Sequence, residues 1–528
     1  MSVFGLWSGV MPGEIELADD GLSAVFTPAR PFSAGERVTV SVAKSIKGLD
    51  GTTMARGYAW HFMIATSFAT LSPTETTRIS VRRKGEGWIQ TYGAFAGDFN
   101  EDGYTDLAVP NERSNDFRLF LNDGNGFYHR FDTYPIPAGN RPSVNEGADF
   151  DMDGHMDYVV GNSTGATIGL FMGDGDGALL AGGTFSVGLG VRGLAVLDLN
   201  GDNYPDVATA SRQADVVSTL INDGAGSFLS ATTYNTPAEG ETAAAAADMN
   251  EDGIMDLLVG SYFSGEMVVL LGDGNGKLTL LDRFPVGERI WMIAAGDVNG
   301  DGHSDVVTAN SDDATVSVLM GDGTGRLGSP AAYSSDNFTI AIDLGDLDGD
   351  GDLDMVSSNF GSTNVGSRTG SWMVFENDGT GKFNRRSTYR ASGAGSCAVL
   401  HDRNNDGTLD ITAIDELQDE LVLFTNRPVS TSEAESELPD SDFAVAVYPN
   451  PIRNSGTIQF GLDAPSYVLI ELFDVAGRRL ATVYEGTKPA GIHRHAIDSE
   501  LRDLPSGSYF LSVSVARRRA SVEIQKVR

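Results

Sequence analysis

Cysteine is nearly absent from this chain: Cys397 stands alone. No internal disulfide can form, so the fold is not stapled by sulfur. That leaves the compartment open, because reduced cytosolic proteins and many secreted bacterial ones share the trait. Positive charge is also scarce. Lys and Arg number 37 against 73 Asp and Glu, for a formal net charge of -36. Nucleic-acid binding, which needs a basic footprint, is excluded; cation binding fits. No apolar run approaches the roughly 20 residues that span a bilayer as a helix. Met1 to Asp20 has neither the basic n-region nor the apolar h-region of a secretory signal. Histidine is sparse, at seven residues. There is no Gly-x-Ser-x-Gly elbow, no His-Glu-x-x-His and no phosphate-binding loop. The expectation is therefore a protein without catalytic residues. Paired carboxylates abound, but a bound metal explains them, so a glycosidase-type acid pair is not distinguishable. A polysaccharide lyase or hydrolase stays open as the lesser alternative.

Glycine, at 64 residues, far outnumbers proline, at 19, which suggests an all-β chain of many tight turns. With 41% hydrophobic residues it can bury a core despite its charge. At 528 residues it should hold more than one domain.

One motif, D-x-[DN]-x-D-[GN]-x-x-D followed by an apolar run, occurs seven times, starting at Asp98, Asp149, Asp198, Asp248, Asp297, Asp346 and Asp402. The steps are 51, 49, 50, 49, 49 and 56 residues. A fixed period near 50 marks a repeat architecture. Oxygen ligands at alternating positions suit a hard cation such as calcium, which takes six to eight oxygens. The expected ligands are side chains at positions one, three, five and nine and the backbone carbonyl at position seven. They are Asp98, Asn100, Asp102, Tyr104 and Asp106; Asp149, Asp151, Asp153, His155 and Asp157; Asp198, Asn200, Asp202, Tyr204 and Asp206; Asp248, Asn250, Asp252, Ile254 and Asp256. The remaining loops offer Asp297, Asn299, Asp301, His303 and Asp305; Asp346, Asp348, Asp350, Asp352 and Asp354; Asp402, Asn404, Asp406, Thr408 and Asp410. Position six is Gly in six loops and Asn203 in the third, the residues that best tolerate a left-handed turn.

An EF-hand shares the first half of this pattern but needs a Glu at position twelve and flanking helices. Position twelve is Val109, Val160, Thr209, Val259, Thr308, Ser357 or Ala413, always in a β-type run, so the EF-hand is rejected in every loop. The side-chain ligands include twenty-three carboxylates, and seven calcium ions would bring the formal charge from -36 to -22. Without metal these carboxylates repel, so metal affinity should appear as folding stability. The third loop, with Asn203 and Pro205, and the seventh, with Asn405, are the candidates for staying empty.

Each unit of residues 78–426 reads as four antiparallel strands. A short apolar strand enters the Asp loop and a β-rich strand leaves it. A third strand runs to a Gly-rich turn such as Gly321-Asp322-Gly323-Thr324-Gly325, and a fourth follows. That is the blade of a β-propeller, and seven blades are expected. The seventh unit lacks the Gly-rich turn and its outer strand. The orphan strand Arg78-Ile79-Ser80-Val81-Arg82-Arg83 is expected to supply it and close the ring, removing exposed sheet edges. Residues 427–442, rich in Ser, Glu, Asp and Pro, read as a linker. Residues 443–528 carry 11 basic and 8 acidic residues and read as a small β-sandwich. The long loop from Asn359 to Ser371, leading to Trp372, together with Tyr262, Phe263, Trp88 and Trp291, forms a candidate ligand face opposite the Asp loops. The alternative is that these aromatics pack between blades.

Three resemblances follow from these residues. The Asp loops, preceded by Gly97 or Gly345 and followed by an apolar strand, resemble the FG-GAP, or VCBS, repeat of integrin α subunits and bacterial surface proteins. That resemblance implies a calcium-binding seven-bladed propeller. In residues 1–67, Phe26-Thr27-Pro28, Gly35-Glu36, Gly51 and Trp60-His61-Phe62 resemble a bacterial Ig-like domain, partial here, as if the start were truncated. The order Tyr448-Pro449-Asn450-Pro451, Asp474-Val475-Ala476-Gly477-Arg478, Gly491-Ile492-His493, Ser506 to Phe510 and Lys526-Val527-Arg528 resembles the C-terminal sorting domain of type IX secretion. That implies export to the medium or the outer-membrane surface of a bacterium and contact with the type IX machinery. The expected work is non-catalytic recognition or adhesion to an extracellular protein or polysaccharide, with a lectin as the alternative.

Overall fold

The computed structural model describes residues 1–17, 24–48, 51–137, 140–361, 369–428, 445–448, 456–462, 464–474, 478–489, 491–497, 504, 507–515 and 518–526. These residues are all-β, with no helix among them. The chain forms two compact units, 1–428 and 429–528.

Within the first unit, seven four-stranded antiparallel sheets follow one plan among the described residues. In the fifth, Ile290–Gly296 pairs with Asp305–Asn310, then Thr315–Leu319, then Ala331–Ser334. The second strands, such as Asp106–Asn111 and Asp305–Asn310, are buried at every residue. Fourth strands such as Leu278–Pro285 are half-buried or exposed at all but their first residue. Burial thus falls from the first three strands to the fourth, which is why the inner strands read as continuous small apolar runs and the outer ones carry more polar residues. The first strand of the fourth unit, Glu241–Ala247, is nearly all alanine and fits a crowded interior.

Neighbouring sheets share their cores. Phe117 and Leu119 of the first sheet cluster with Tyr158 and Val160 of the second. Leu107 and Val109 of the first sheet cluster with Leu400, Leu409 and Ile411 of the seventh. The packing is therefore cyclic, an arrangement that fits a β-propeller. The seventh sheet joins Gly395–His401, Asp410–Asp415 and Glu420–Thr425 to Thr74–Ser80, with Thr425 opposite Thr74 and Glu420 opposite Ser80. The closing strand comes from the N-terminal side, as expected, but lies four residues earlier than the Arg78–Arg83 reading. The strand ends at Ser80 because its partner begins at Glu420; beyond it the Val81 amide still donates to the Asp419 carbonyl.

Before the ring, Ser2–Gly5, Gly9–Val10, Arg37–Val42 and Tyr58–Met63 make one sheet, and Gly13–Leu17 pairs with Ala24–Pro28. In the second unit, Val445–Tyr448, Thr457–Leu462 and Gly491–Ala496 form a three-stranded sheet. A four-stranded sheet of Arg479–Lys488, Ser466–Asp474, Gly507–Val515 and Arg518–Lys526 shares its core through Ile458, Phe460, Ile470 and Val513. Most of the predicted linker, the Pro449-Asn450-Pro451 stretch and the Val475–Gly477 turn lie outside the described residues.

Candidate metal centres

Each Asp loop joins the first strand of a sheet to the second. Its shape comes from two left-handed residues. Position six is left-handed in all seven loops, from Asn203 at φ 75° to Gly154 at φ 101°. Position four is left-handed too, and in Glu101, Met152, Glu251 and Asn405 it carries a side chain there. The sequence reading found the first of these and missed the second.

The first Asp wraps the loop around its carboxylate. Asp98 Oδ1 accepts the Asp102 amide at 3.0 Å and Oδ2 accepts the Gly103 amide at 3.0 Å. The same pattern recurs at Asp149, Asp248 and Asp402. The ninth residue does a different job. Asp157 accepts the Phe150 amide at 2.7 Å and the Gly173 amide at 2.8 Å. Asp106, Asp206, Asp256, Asp305 and Asp354 do likewise with the second residue of their loop and the residue ending or just following the third strand. In the seventh loop Asp410 takes the Asn426 amide at 2.8 Å, and its other oxygen faces Arg403 at 3.5 Å. The ninth Asp thus ties the loop to the Gly-rich turn, and Asn426 keeps that contact in the seventh unit, where the sequence reading saw the turn as missing.

These ninth carboxylates are buried, and burial is the main reason they resist ionisation. Asp106, Asp157 and Asp206 are pushed up to about 8, Asp256 and Asp410 to about 7. Neighbouring carboxylates push the same way. The sixth loop is the extreme: Asp346 rises to about 6, Asp348 to about 7, Asp352 to about 8 and Asp354 to about 9, all led by burial. A cation among these oxygens would remove that penalty and release protons. The fit is closest in the two loops richest in carboxylate. Asp149, Asp151 and Asp153, and Asp346, Asp348 and Asp354, each bring oxygens within 4.8 Å of one another. In the first, fifth and seventh loops Asn100, Asn299 and Asn404 instead donate to the position-five carboxylate, at 3.0 to 3.1 Å. His155 and His303 turn their rings away from their own loops to pair with Glu101 and Glu251 of the preceding ones, which hold both imidazoles above their ordinary range.

One partner of the loops went unread in the sequence. The N-terminal segment lies against five of them. Trp7 O takes the Asp98 amide at 2.7 Å, and Arg30 reaches Asp98 at 3.2 Å. Lys44 Nζ donates to Asn200 O at 2.7 Å, and the Ala59 amide to Gly253 O at 2.8 Å. Thr66 Oγ1 donates to Asp346 Oδ2 at 2.9 Å, and the Ser67 amide to Gly407 O at 2.6 Å. These contacts join residues far apart in sequence, so no local pattern announces them.

At the opposite end of the strands, Trp372 is fully buried and its indole donates to Cys397 O at 3.0 Å. It belongs to the core and is withdrawn as a ligand residue. The loop 362–368 lies outside the described residues. Tyr262 and Trp291 are half-buried, while Phe263 is 66% and Trp88 38% exposed.

Two families match the chain. The FG-GAP-like repeat matches residues 98–160, 149–209, 198–259, 248–308 and 297–357, from the first Asp loop through the sixth. The secretion system C-terminal sorting domain matches residues 446–526. No curated protein matches the chain. Among solved structures, a virginiamycin B lyase from Staphylococcus aureus, in a catalytically inactive form with quinupristin, is 11% identical with a TM-score of 0.43, covering 66% of this chain and 99% of that one. A functionally unknown protein from Desulfotomaculum acetoxidans is 12% identical with a TM-score of 0.40, covering 73% and 96%. Likenesses this distant say nothing about function. The sorting domain marks a secreted or cell-surface protein, and no described helix is long and apolar enough to cross a membrane. The chain is an FG-GAP-like repeat protein that ends in a type IX secretion sorting domain.

Proposed function

We propose that this is a calcium-binding, seven-bladed β-propeller that works outside the cell in recognition or adhesion, without catalysis. The observation that carries the reading is the division of labour between the two ends of the repeated strands. At one end the Asp loops gather buried carboxylates that bind backbone amides and present oxygens. At the other end sit half-buried and exposed aromatics. Calcium, when bound, supplies positive charge to the loops and so holds the blades' connections in place. The chain's residues do the rest: position one folds the loop, position nine anchors it, and the N-terminal segment covers it. That segment is read as part of an Ig-like domain, its two sheets gathered around Val3, Met11, Val38 and Val40. A lectin is the second reading, and it would use the same aromatic end.

The test is binding of the full chain to arrays of glycans and of immobilised extracellular proteins, in millimolar calcium and again with chelator. Calcium-dependent binding to a defined target is expected. A folded, calcium-loaded protein that binds nothing on either array, or that turns over a polysaccharide, refutes the reading.

A further inference from the structure

The first strands of the sheets carry a repeated irregularity at the end away from the Asp loops. In the third sheet Val191 pairs with Ser211 and Gly193 with Ala210, leaving Arg192 as the extra residue of a β-bulge. In the fifth, Ile290 pairs with Asn310 and Met292 with Ala309, leaving Trp291. In the seventh the extra residue is Ser396. A bulge re-aims the side chain it carries. These three converge on one tyrosine from the first unit. Trp291 Nε1 donates to Tyr92 Oη at 2.7 Å, Ser396 Oγ donates to Tyr92 O at 3.1 Å, and the Arg192 guanidinium lies 5.4 Å from the Tyr92 ring centre. Units that are not neighbours in the ring therefore meet there.

The charges at this junction are unequal. Arg192 is neutralised by Glu112 at 2.8 Å. Burial, with Glu112 nearby, raises Glu416 to about 8, which favours its neutral form. Arg212 is different. Its guanidinium lies over the rings of Tyr262 at 4.7 Å and Trp291 at 5.5 Å, and among the described residues it has neither a hydrogen bond nor an ion pair. A guanidinium on an aromatic bed without a paired carboxylate leaves positive charge exposed to a partner in a chain of net charge -36. The same end of the ring exposes Phe263 at 66%, next to Tyr262, and Leu189 at 41%, with Met292 at 39% and, on the seventh unit, Leu417 at 46%. Arg, Trp and Tyr at the centre with apolar side chains around them is the composition of a protein-binding hot spot.

We propose that this end of the ring docks a protein partner, which places one carboxylate on Arg212 and apolar side chains around Phe263. The inference rests on the recognition reading and narrows it. A polyanionic polysaccharide brings a charge on many residues, which a chain this acidic repels, and it brings little aliphatic surface for Phe263, Leu189 and Leu417. A protein supplies one acid within an apolar surface.

The test selects short random peptides, displayed on phage, against the full calcium-loaded chain, and measures the binding of synthetic copies. Selected peptides should carry Asp or Glu beside apolar residues. Arg212→Gln should weaken them about ten- to hundredfold, as for a lost charge-assisted hydrogen bond. Amidating the peptide's acid should cost as much on the native chain and nothing further on Arg212→Gln. Phe263→Ser, at a position 66% exposed, should also weaken binding, while Arg326→Gln on the outer edge should not. The inference is overturned if peptides lack acidic enrichment, if they are indifferent to Arg212→Gln and Phe263→Ser, or if none binds. It is also overturned if an oligogalacturonate binds through Arg212 more tightly than any peptide. Failure of the peptides alone leaves the recognition reading to the arrays, where any target counts.

Discussion

Replacing Asn377 by alanine removes four hydrogen bonds at once. The side chain is 3% exposed. Its Nδ2 donates to Val298 O at 2.7 Å and Leu353 O at 3.1 Å, and its Oδ1 accepts the Asp378 amide at 2.9 Å and the Gly381 amide at 3.1 Å. That is the full capacity of an amide. Val298 belongs to the fifth Asp loop and Leu353 to the sixth, so the bonds bolt one unit to the next. A net hydrogen bond is worth about 1 kcal/mol, and a buried group left unpaired costs about 1–3 kcal/mol. The Asp378 amide is partly exposed, while the Gly381 amide and the Val298 carbonyl are buried, so the expected loss is about 4 kcal/mol. Amide hydrogen exchange in Asp354–Asn359 and Ser371–Asn377 should then accelerate about a thousandfold. Asn377→Asp keeps both acceptor bonds but turns a carboxylate oxygen toward the Val298 and Leu353 carbonyls, and should lose at least as much. Exchange faster by less than about tenfold in Asn377→Ala would show that the side chain does not join the units.

Calcium at about a hundred times its dissociation constant should add about 2.7 kcal/mol for each occupied loop, so chelator should lower the melting temperature; an unchanged melt would refute the metal staple. Replacing Asp348 and Asp350 together by Asn should remove one bound calcium per chain in titration calorimetry; unaltered stoichiometry would exclude the sixth loop as a site. Under chelator, stability should fall as pH rises. Asp106, Asp157 and Asp206 go from a usual 3.8 to about 8 in the folded chain, which therefore holds more protons than the unfolded chain between those values. Urea midpoints should be higher near about pH 5 than about pH 8, and calcium should flatten the slope; a rising slope without metal would contradict the burial of position nine. Trp7→Ala should cost about 3–5 kcal/mol and weaken calcium binding at the first loop, whose Asp98 amide it helps to fix; a loss in stability with calcium titration unchanged would separate the N-terminal cover from the loops.

The Asp loops were legible because their pattern is local. A left-handed position six and alternating oxygens follow from nine consecutive residues, and seven copies at one spacing leave little room for accident. The four antiparallel strands of each unit were legible for a similar reason, since apolar runs and Gly-rich turns set them over a few residues each. Even the closing strand was visible, though it begins four residues earlier than the Arg78–Arg83 reading, because its bounds depend on the partner Glu420–Thr425 and not on the strand alone.

Trp372 shows the limit. A tryptophan beside a long polar loop looks the same in sequence whether it faces solvent or, as here, packs against Phe424 with a ring separation of 5.8 Å. The N-terminal cover of the loops, the Asn377 bolt and the meeting of Arg212, Tyr262, Trp291 and Tyr92 join residues that are far apart along the chain. Sequence periodicity determined what each unit is, because strand, turn and loop chemistry act over a few residues. Tertiary structure decided what the units do together, because only cyclic packing of the sheets brings side chains from distant units within a few ångströms of one another.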